Sequence, residues 1–102
     1  MADRTKVAQV SELPDNTMKA VKVGDQEIAL VALGGQVYAI ADICPHAHCN
    51  LSDGDLDGDH VICPCHGSEF NVKSGELVDG PARENVSTFP VRVEGADILV
   101  EL

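Results

Sequence analysis

The chain has 102 residues, with 17 acidic and 7 basic side chains and a formal net charge of −10 at pH 7. This length fits a single domain, residues 1–102, with a modest core. The acidic excess argues against binding to nucleic acid or to anionic membrane surfaces. An acidic surface also serves ordinary solubility, so the charge alone identifies no partner.

No stretch of the sequence has the run of apolar residues that is needed to span a bilayer. Residues 1–7 contain neither an apolar run nor a twin-arginine pair, so the sequence shows no export signal. We therefore predict a cytoplasmic protein that has no membrane anchor and no membrane partner.

Short alternating segments dominate the chain, and none shows helical periodicity beyond a turn or two. In chain order, the predicted strands cover residues 5–9, 18–23, 27–33, 36–40, 60–62, 87–93 and 98–101. Gly34-Gly35 lies between two β-rich runs and is a strong signal for a two-residue hairpin. The predicted fold is all-β, a small antiparallel sandwich or barrel.

The middle of the chain has a different composition. Residues from about 43 to 82 are rich in Gly, Pro, Asp and His and poor in long apolar runs. We interpret this segment as a loop-rich lobe inserted into a β framework, or base, formed by residues from about 1 to 42 and from about 83 to 102.

Two short runs in this segment, CPH at residues 44–46 and CPCH at residues 63–66, each bring a thiolate and an imidazole onto one tight turn. In zinc fingers one run usually supplies the two Cys ligands and the other the two His ligands. Here each run supplies one of each, which suits a two-iron cluster with two Cys on one iron and two His on the other. The candidate ligands are Cys44, His46, Cys63 and His66. Zinc held by the same ligands is the alternative.

The sequence resembles the Rieske family, whose signature is Cys-x-His, a loop, and then Cys-x-x-His. In that family an aromatic residue, a turn and a Gly-Pro-Ala segment follow the second run, and Phe70, residues 74–76 and residues 80–82 match them here. The length of the chain is also similar to that of the small Rieske ferredoxins. The resemblance implies one Rieske-type [2Fe–2S] cluster.

The resemblance also assigns a role to each candidate ligand. Cys44 and Cys63 would bind the inner iron, while His46 and His66 would bind the outer, solvent-facing iron. The outer imidazoles would then form the tip that docks on redox partners. The residues expected at this tip are His46, Ala47, His48, His66 and Gly67.

Two further cysteines, Cys49 and Cys65, remain after the ligands are assigned, one in each cluster loop. In the cytochrome bc branch of the family, cysteines at these relative positions form a disulfide, whereas many dioxygenase-type ferredoxins lack both. The resemblance therefore implies a Cys49–Cys65 bridge. Two independent buried thiols are the alternative, because disulfides are uncommon in the cytoplasm.

Three residues are expected to tune the cluster. In the cytochrome bc branch a Ser at the position of Ser68 donates a hydrogen bond to a cluster sulfur, and a Tyr stands where this chain has Phe70. One such hydrogen bond without the other suggests an intermediate reduction potential. Pro81 belongs to the segment that packs over the cluster in the family. Ser68 could also be an ordinary turn residue.

Residues 53–58 resemble the first half of a calcium-binding EF-hand loop, but Pro64 stands where the bidentate Glu should be. We therefore predict no calcium site, and we interpret these residues as a β-turn before the strand that leads into Cys63. His60 is expected at a strand entrance on the surface and is not a proposed ligand.

The resemblance implies a soluble one-electron carrier that passes electrons from a flavin-dependent reductase to a terminal oxygenase. The chain has no room for the mononuclear iron domain of the oxygenases, so it is expected to be an electron-transfer protein and not an enzyme. One alternative is a small redox subunit of a nitrite- or arsenite-type oxidoreductase. Others are a zinc-stabilised binding module and a cluster-bearing sensor with a redox-labile Cys49–Cys65 pair.

Overall fold

The computed structural model describes residues 4–43, 49–65, 67–80 and 84–101. Within these ranges the chain forms β-strands and two short 3₁₀ helices, at Val10–Glu12 and Leu51–Asp53. The strands are β1 Arg4–Gln9, β2 Thr17–Val23, β3 Gln26–Leu33, β4 Gln36–Ala41, β5 Asp55–Asp57, β6 His60–Ile62, β7 Glu69–Asn71, β8 Leu77–Asp79, β9 Thr88–Phe89, β10 Val91–Glu94 and β11 Asp97–Glu101. The all-β prediction is confirmed. Over the same residues no helix is long and apolar enough to cross a membrane.

The strands pair antiparallel in three sheets. The central sheet has the order β2-β3-β4-β9, the outer sheet β1-β11-β10, and the small sheet β5-β6-β7-β8. The hairpin predicted at Gly34-Gly35 joins β3 to β4, where Leu33 pairs with Gln36. The turn at 58–59 joins β5 to β6 in the same way, since Asp57 pairs with His60.

Strand β3 explains how these layers are stacked. Residues 28–32 form an unbroken apolar run, IALVA, and all five are buried. Because successive side chains of a strand point to opposite faces, such a run indicates a strand that is covered on both sides. Ala29 and Val31 face one hydrophobic cluster, and Ile28, Leu30 and Ala32 face another. The central sheet is therefore the middle layer.

The two clusters hold different partners against the central sheet. On one face, Ile98 and Val100 of β11 pack against β3, which attaches the outer sheet. On the other face, Val61 of β6 and Phe70 of β7 attach the small sheet, and Cys63 belongs to the same cluster. One of the candidate ligands is thus part of the hydrophobic core.

The structure differs from the predicted strands in two places. The strand predicted for residues 87–93 is divided at Pro90, which has no N–H to donate. At this point the chain passes from β9, which pairs with β4, to β10, which pairs with β11. The sequence also gave no signal for β5, β7 or β8, because three residues are too few to show a clear alternation. The division of the chain near residues 42 and 83 stays a prediction.

Candidate metal centre

The second cluster loop, between the end of β6 at Ile62 and the start of β7 at Glu69, closes on itself through backbone hydrogen bonds. The N–H of Cys63 donates to the carbonyl of Ser68 at 2.8 Å, and the N–H of Gly67 donates to the carbonyl of Cys63 at 3.1 Å. Gly67 has a φ of 77°, in the left-handed region that glycine adopts without steric cost. The loop therefore returns the chain directly from β6 to β7.

Of the four candidate ligands, Cys63 is the one that lies within the described residues, and its surroundings are apolar. Its residue exposure is 2%, it forms no disulfide, and it shares a cluster with Leu51, Val61 and Phe70. A sulfur in this position lies on the inner side of the loop, towards the core. The other candidate ligands, Cys44, His46 and His66, lie outside the described residues.

Cys49 and Cys65 form a disulfide with a Cα–Cα distance of 6.4 Å. The predicted bridge is confirmed, and the alternative of two independent thiols is wrong. Because Cys49 follows the CPH run and Cys65 lies inside the CPCH run, the disulfide joins the two cluster loops covalently. It also removes both sulfurs from the set of possible metal ligands.

The base of the first cluster loop is closed by polar contacts that sequence reasoning missed. Ile43 and Asn50 form an antiparallel bridge, so the two ends of the loop lie side by side. Asp42, which precedes the bridge, is fully buried. Its carboxylate accepts hydrogen bonds from Asn50 and Ser52. In the sequence these are ordinary turn residues, and no local pattern marks Asp42 as buried.

A third segment reaches the second loop at Gly80. A Cβ added to Gly80 would lie 2.5 Å from the Cα of Ser68, and Gly80 has a φ of 106°. Only glycine permits this close approach of two backbones. Ser68 is fully buried, while Pro81 lies outside the described residues. The structure thus brings the start of the Gly-Pro-Ala segment against the loop that carries Cys63.

The model of the Rieske [2Fe-2S] domain family matches residues 3–90. The chain belongs to this family. It is 36% identical over 102 residues to the 3-phenylpropionate/cinnamic acid dioxygenase ferredoxin subunit of Shigella flexneri serotype 5b (strain 8401), covering 98% of this chain and 94% of the relative.

Two solved structures are similar over nearly the whole chain. A chain in the complex of reduced oxygenase and oxidized ferredoxin in carbazole 1,9a-dioxygenase has a TM-score of 0.90 at 36% identity, covering 95% of this chain and 91% of the other. The ferredoxin of carbazole 1,9a-dioxygenase from Nocardioides aromaticivorans IC177 has a TM-score of 0.91 at 31% identity, covering 95% of each chain.

The residues of this Rieske domain fit its [2Fe–2S] cofactor. The disulfide uses two of the four cysteines and leaves one in each run, Cys44 and Cys63, beside one imidazole in each run. Two thiolates and two imidazoles are the donor set of a Rieske cluster. The buried, unpaired thiol of Cys63 is consistent with a ligand of the inner iron.

The remaining predicted site residues fall into two groups. Phe70 is fully buried in the hydrophobic cluster that contains Cys63. Gly67 is exposed in the loop that carries Cys65. The other residues predicted for docking, namely His46, Ala47, His48 and His66, lie outside the described part of the chain.

His60 and the EF-hand-like segment lie on the small sheet. The Nδ1 of His60 is 2.8 Å from Glu69 Oε2, and its Nε2 is 3.5 Å from Asp59 Oδ1. His60 stands at the start of β6, as expected. Its side chain is only 30% exposed, so it is half-buried and not fully on the surface. Asp55 and Asp57 are exposed in β5. The β-turn interpretation of residues 53–58 is therefore wrong for Asp55–Asp57, which form a strand, and the turn lies at 58–59.

Proposed function

We propose that this protein carries single electrons from a flavin-dependent reductase to a terminal oxygenase in the cytoplasm. The observation that carries the proposal is the near full-length similarity to a ferredoxin subunit of a dioxygenase system. A chain from an oxygenase–ferredoxin complex is similar over nearly the same length. The chain spans more than nine-tenths of these relatives, so it corresponds to a ferredoxin alone. In this proposal the substrate chemistry belongs to the partner oxygenase.

In this proposal the cluster is bound by Cys44 and Cys63 on the inner iron and by His46 and His66 on the outer iron. When bound, it accepts and releases one electron. Two thiolates and two neutral imidazoles leave the oxidised centre close to neutral, which raises the potential by roughly several hundred millivolts above that of all-Cys clusters. The buried position of Cys63 keeps the thiolate side of the centre away from water.

The protein contributes to the potential through the residues beside the second loop. Ser68 is fully buried there, and we propose that its hydroxyl donates to a cluster sulfur. Phe70 provides apolar packing but has no hydroxyl to add a second donor. We further propose, from the family resemblance, that Pro81 covers the centre, and we expect a potential between those of the all-Cys ferredoxins and of the cytochrome bc branch.

The docking tip in this proposal consists of the outer imidazoles and their neighbours. Gly67 is exposed where the second loop turns back toward β7, and it would lie beside His66 on this surface. His46, Ala47 and His48 would complete the surface from the first loop. An exposed imidazole ligand gives the electron a short path to a partner that contacts the tip.

The test combines spectroscopy with electron delivery. The purified protein should absorb visible light and, after reduction with dithionite, give a rhombic EPR signal with an average g value below that of all-Cys clusters. The reduced protein should then be oxidised in a single turnover by a Rieske oxygenase. A colourless, EPR-silent protein with stoichiometric zinc would contradict the cluster. A normal cluster that no oxygenase can oxidise would contradict the proposed acceptor alone.

A further inference from the structure

Among the described residues, Asp42 is the one charged residue that is buried, with an exposure of 0%. It lies between β4 and the first cluster loop, outside every site that the sequence predicted. A carboxylate removed from water is costly unless its oxygens accept hydrogen bonds. Among the described residues no buried side-chain oxygen or nitrogen lacks a hydrogen-bond partner, and Asp42 meets this condition with several donors.

The donors to Asp42 come from one short segment, on the far side of the loop. The backbone N–H of Ser52 donates to Oδ1 at 2.7 Å. The side-chain amide of Asn50 and the hydroxyl of Ser52 each donate to Oδ2 at 2.8 Å. The backbone also takes part, because the N–H of Leu51 donates to the carbonyl of Asp42 at 2.6 Å. We call Asp42, Asn50 and Ser52 the Asp42 anchor.

The Asp42 anchor is fixed to the rigid part of the molecule. The N–H of Asp42 donates to the carbonyl of Glu27 in β3 at 3.0 Å. Leu51, between the two donor residues, is fully buried in the cluster that contains Cys63. The anchor therefore holds the end of the first cluster loop against the central sheet, and it does so at the side where Cys63 lies.

We propose that Asp42 is a positioning residue for the cluster, because it fixes both ends of the first cluster loop, at Asp42 and at Asn50–Ser52, against the central sheet. This inference rests on the ligand assignment proposed above. The Cys49–Cys65 disulfide joins the loops at one point and leaves rotations about its bonds. The Asp42 anchor adds a second constraint, because it bonds the residue before the loop to the residues after it.

The test compares Asp42→Asn with Asp55→Asn in the holoprotein. Both changes remove one negative charge, but Asp55 is exposed on β5 and not part of the anchor. The amide of Asp42→Asn keeps one acceptor oxygen and turns a donor toward Asn50 or Ser52. We expect iron release to a chelator to rise about tenfold for Asp42→Asn, because a buried donor of Asn50 or Ser52 loses its acceptor, and to stay unchanged for Asp55→Asn.

The EPR spectrum and the midpoint potential, measured well below the unfolding temperature, separate positioning from plain stability. A positioning role requires the g anisotropy and the potential of Asp42→Asn to change more than those of Asp55→Asn. Unchanged values beside a lower unfolding temperature would overturn the proposal. A colourless wild-type protein would instead contradict the cluster itself, so the two failures are distinguishable.

Ser52 provides a milder pair of variants in case Asp42→Asn does not fold. Ser52→Ala removes only the hydroxyl that donates to Oδ2, whereas Ser52→Thr keeps it. We expect iron release to increase about threefold for Ser52→Ala, the effect of one lost hydrogen bond, and to return to the wild-type rate for Ser52→Thr. Equal rates for Ser52→Ala and the wild type would count against the anchor.

Discussion

The outer sheet and the small sheet cover opposite faces of the central sheet, but they are held there in different ways. The outer sheet has strands of 6, 4 and 5 residues, and Ile98 and Val100 attach it by apolar packing. The small sheet has four strands of 3 residues each, next to a disulfide, a buried carboxylate and a buried thiol. One face depends on hydrophobic burial, and the other also depends on crosslinks.

This difference follows from what each face does. Three-residue strands bury little apolar surface, so hydrophobic packing alone gives them little stability. In the proposed ligand assignment, the loops beside the small sheet must also hold the metal ligands at fixed distances. A disulfide, a polar anchor and close glycine contacts supply this order, and the bound cluster would add to it. Substitutions on the two faces should therefore have different consequences.

The largest effect is expected for the buried thiol. Cys63→Ser should abolish cluster binding, because a serine hydroxyl is a poor substitute for a thiolate on iron and Cys63 is buried. Iron content and visible absorption of the purified variant measure this directly. Val72→Ala is the matched control, since it disturbs the same buried hydrophobic cluster but removes no proposed ligand. Full iron content in Cys63→Ser would contradict the ligand assignment.

A core substitution on the other face should affect stability without affecting the metal centre. Leu30→Ala empties a fully buried position between β3 and the outer sheet. We expect the free energy of unfolding to fall by about 2–5 kcal/mol, which denaturant titration measures. The EPR spectrum of the folded variant should match that of the wild type. A changed spectrum would show that the two faces of the central sheet are coupled.

Removal of the disulfide should weaken the opposite face. The bridge closes a loop with a sequence separation of 16 residues. For a loop of this length, the double variant Cys49→Ser/Cys65→Ser should lower the free energy of unfolding by about 3 kcal/mol. Hydrogen exchange should show a larger loss of protection in β6 and β7, which can open locally, than in β3 and β11, which exchange only through global unfolding. Uniform loss of protection across all sheets would show that the bridge stabilises the whole domain and not one face.

The same comparison explains how much the sequence could predict. Most strands of the outer and central sheets were predicted, because β1–β4 and β11 have clear alternation or an unbroken apolar run, but their arrangement in sheets was not. In the cluster region, the CPH and CPCH runs themselves indicated the ligands, whereas the pairing of Cys49 with Cys65 was predicted through the family resemblance. Asp42 was missed, because a carboxylate becomes buried only when residues eight and ten positions away fold back onto it. Such non-local contacts have no signature in a local pattern.

The smallest effect is expected from a pair of glycines, one on each side. Gly80→Ala and Gly95→Ala each place a side chain on a backbone with positive φ, 106° and 62°. At Gly95, in the β10–β11 turn, the Cβ meets nothing within 4 Å, so the cost should be about 1 kcal/mol. At Gly80 the Cβ would lie 2.5 Å from Ser68 Cα, so the cost should be larger, about 2–3 kcal/mol.

The two alanine variants should also differ in their redox behaviour. Relief of the contact at Gly80 requires the backbone at Gly80 to move away from Ser68. This movement would admit water to the metal centre. Gly80→Ala should therefore shift the midpoint potential, whereas Gly95→Ala should leave it at the wild-type value. Voltammetry on the two holoproteins measures both. Equal potentials, together with equal losses of stability, would mean that the third segment does not form part of the cluster environment.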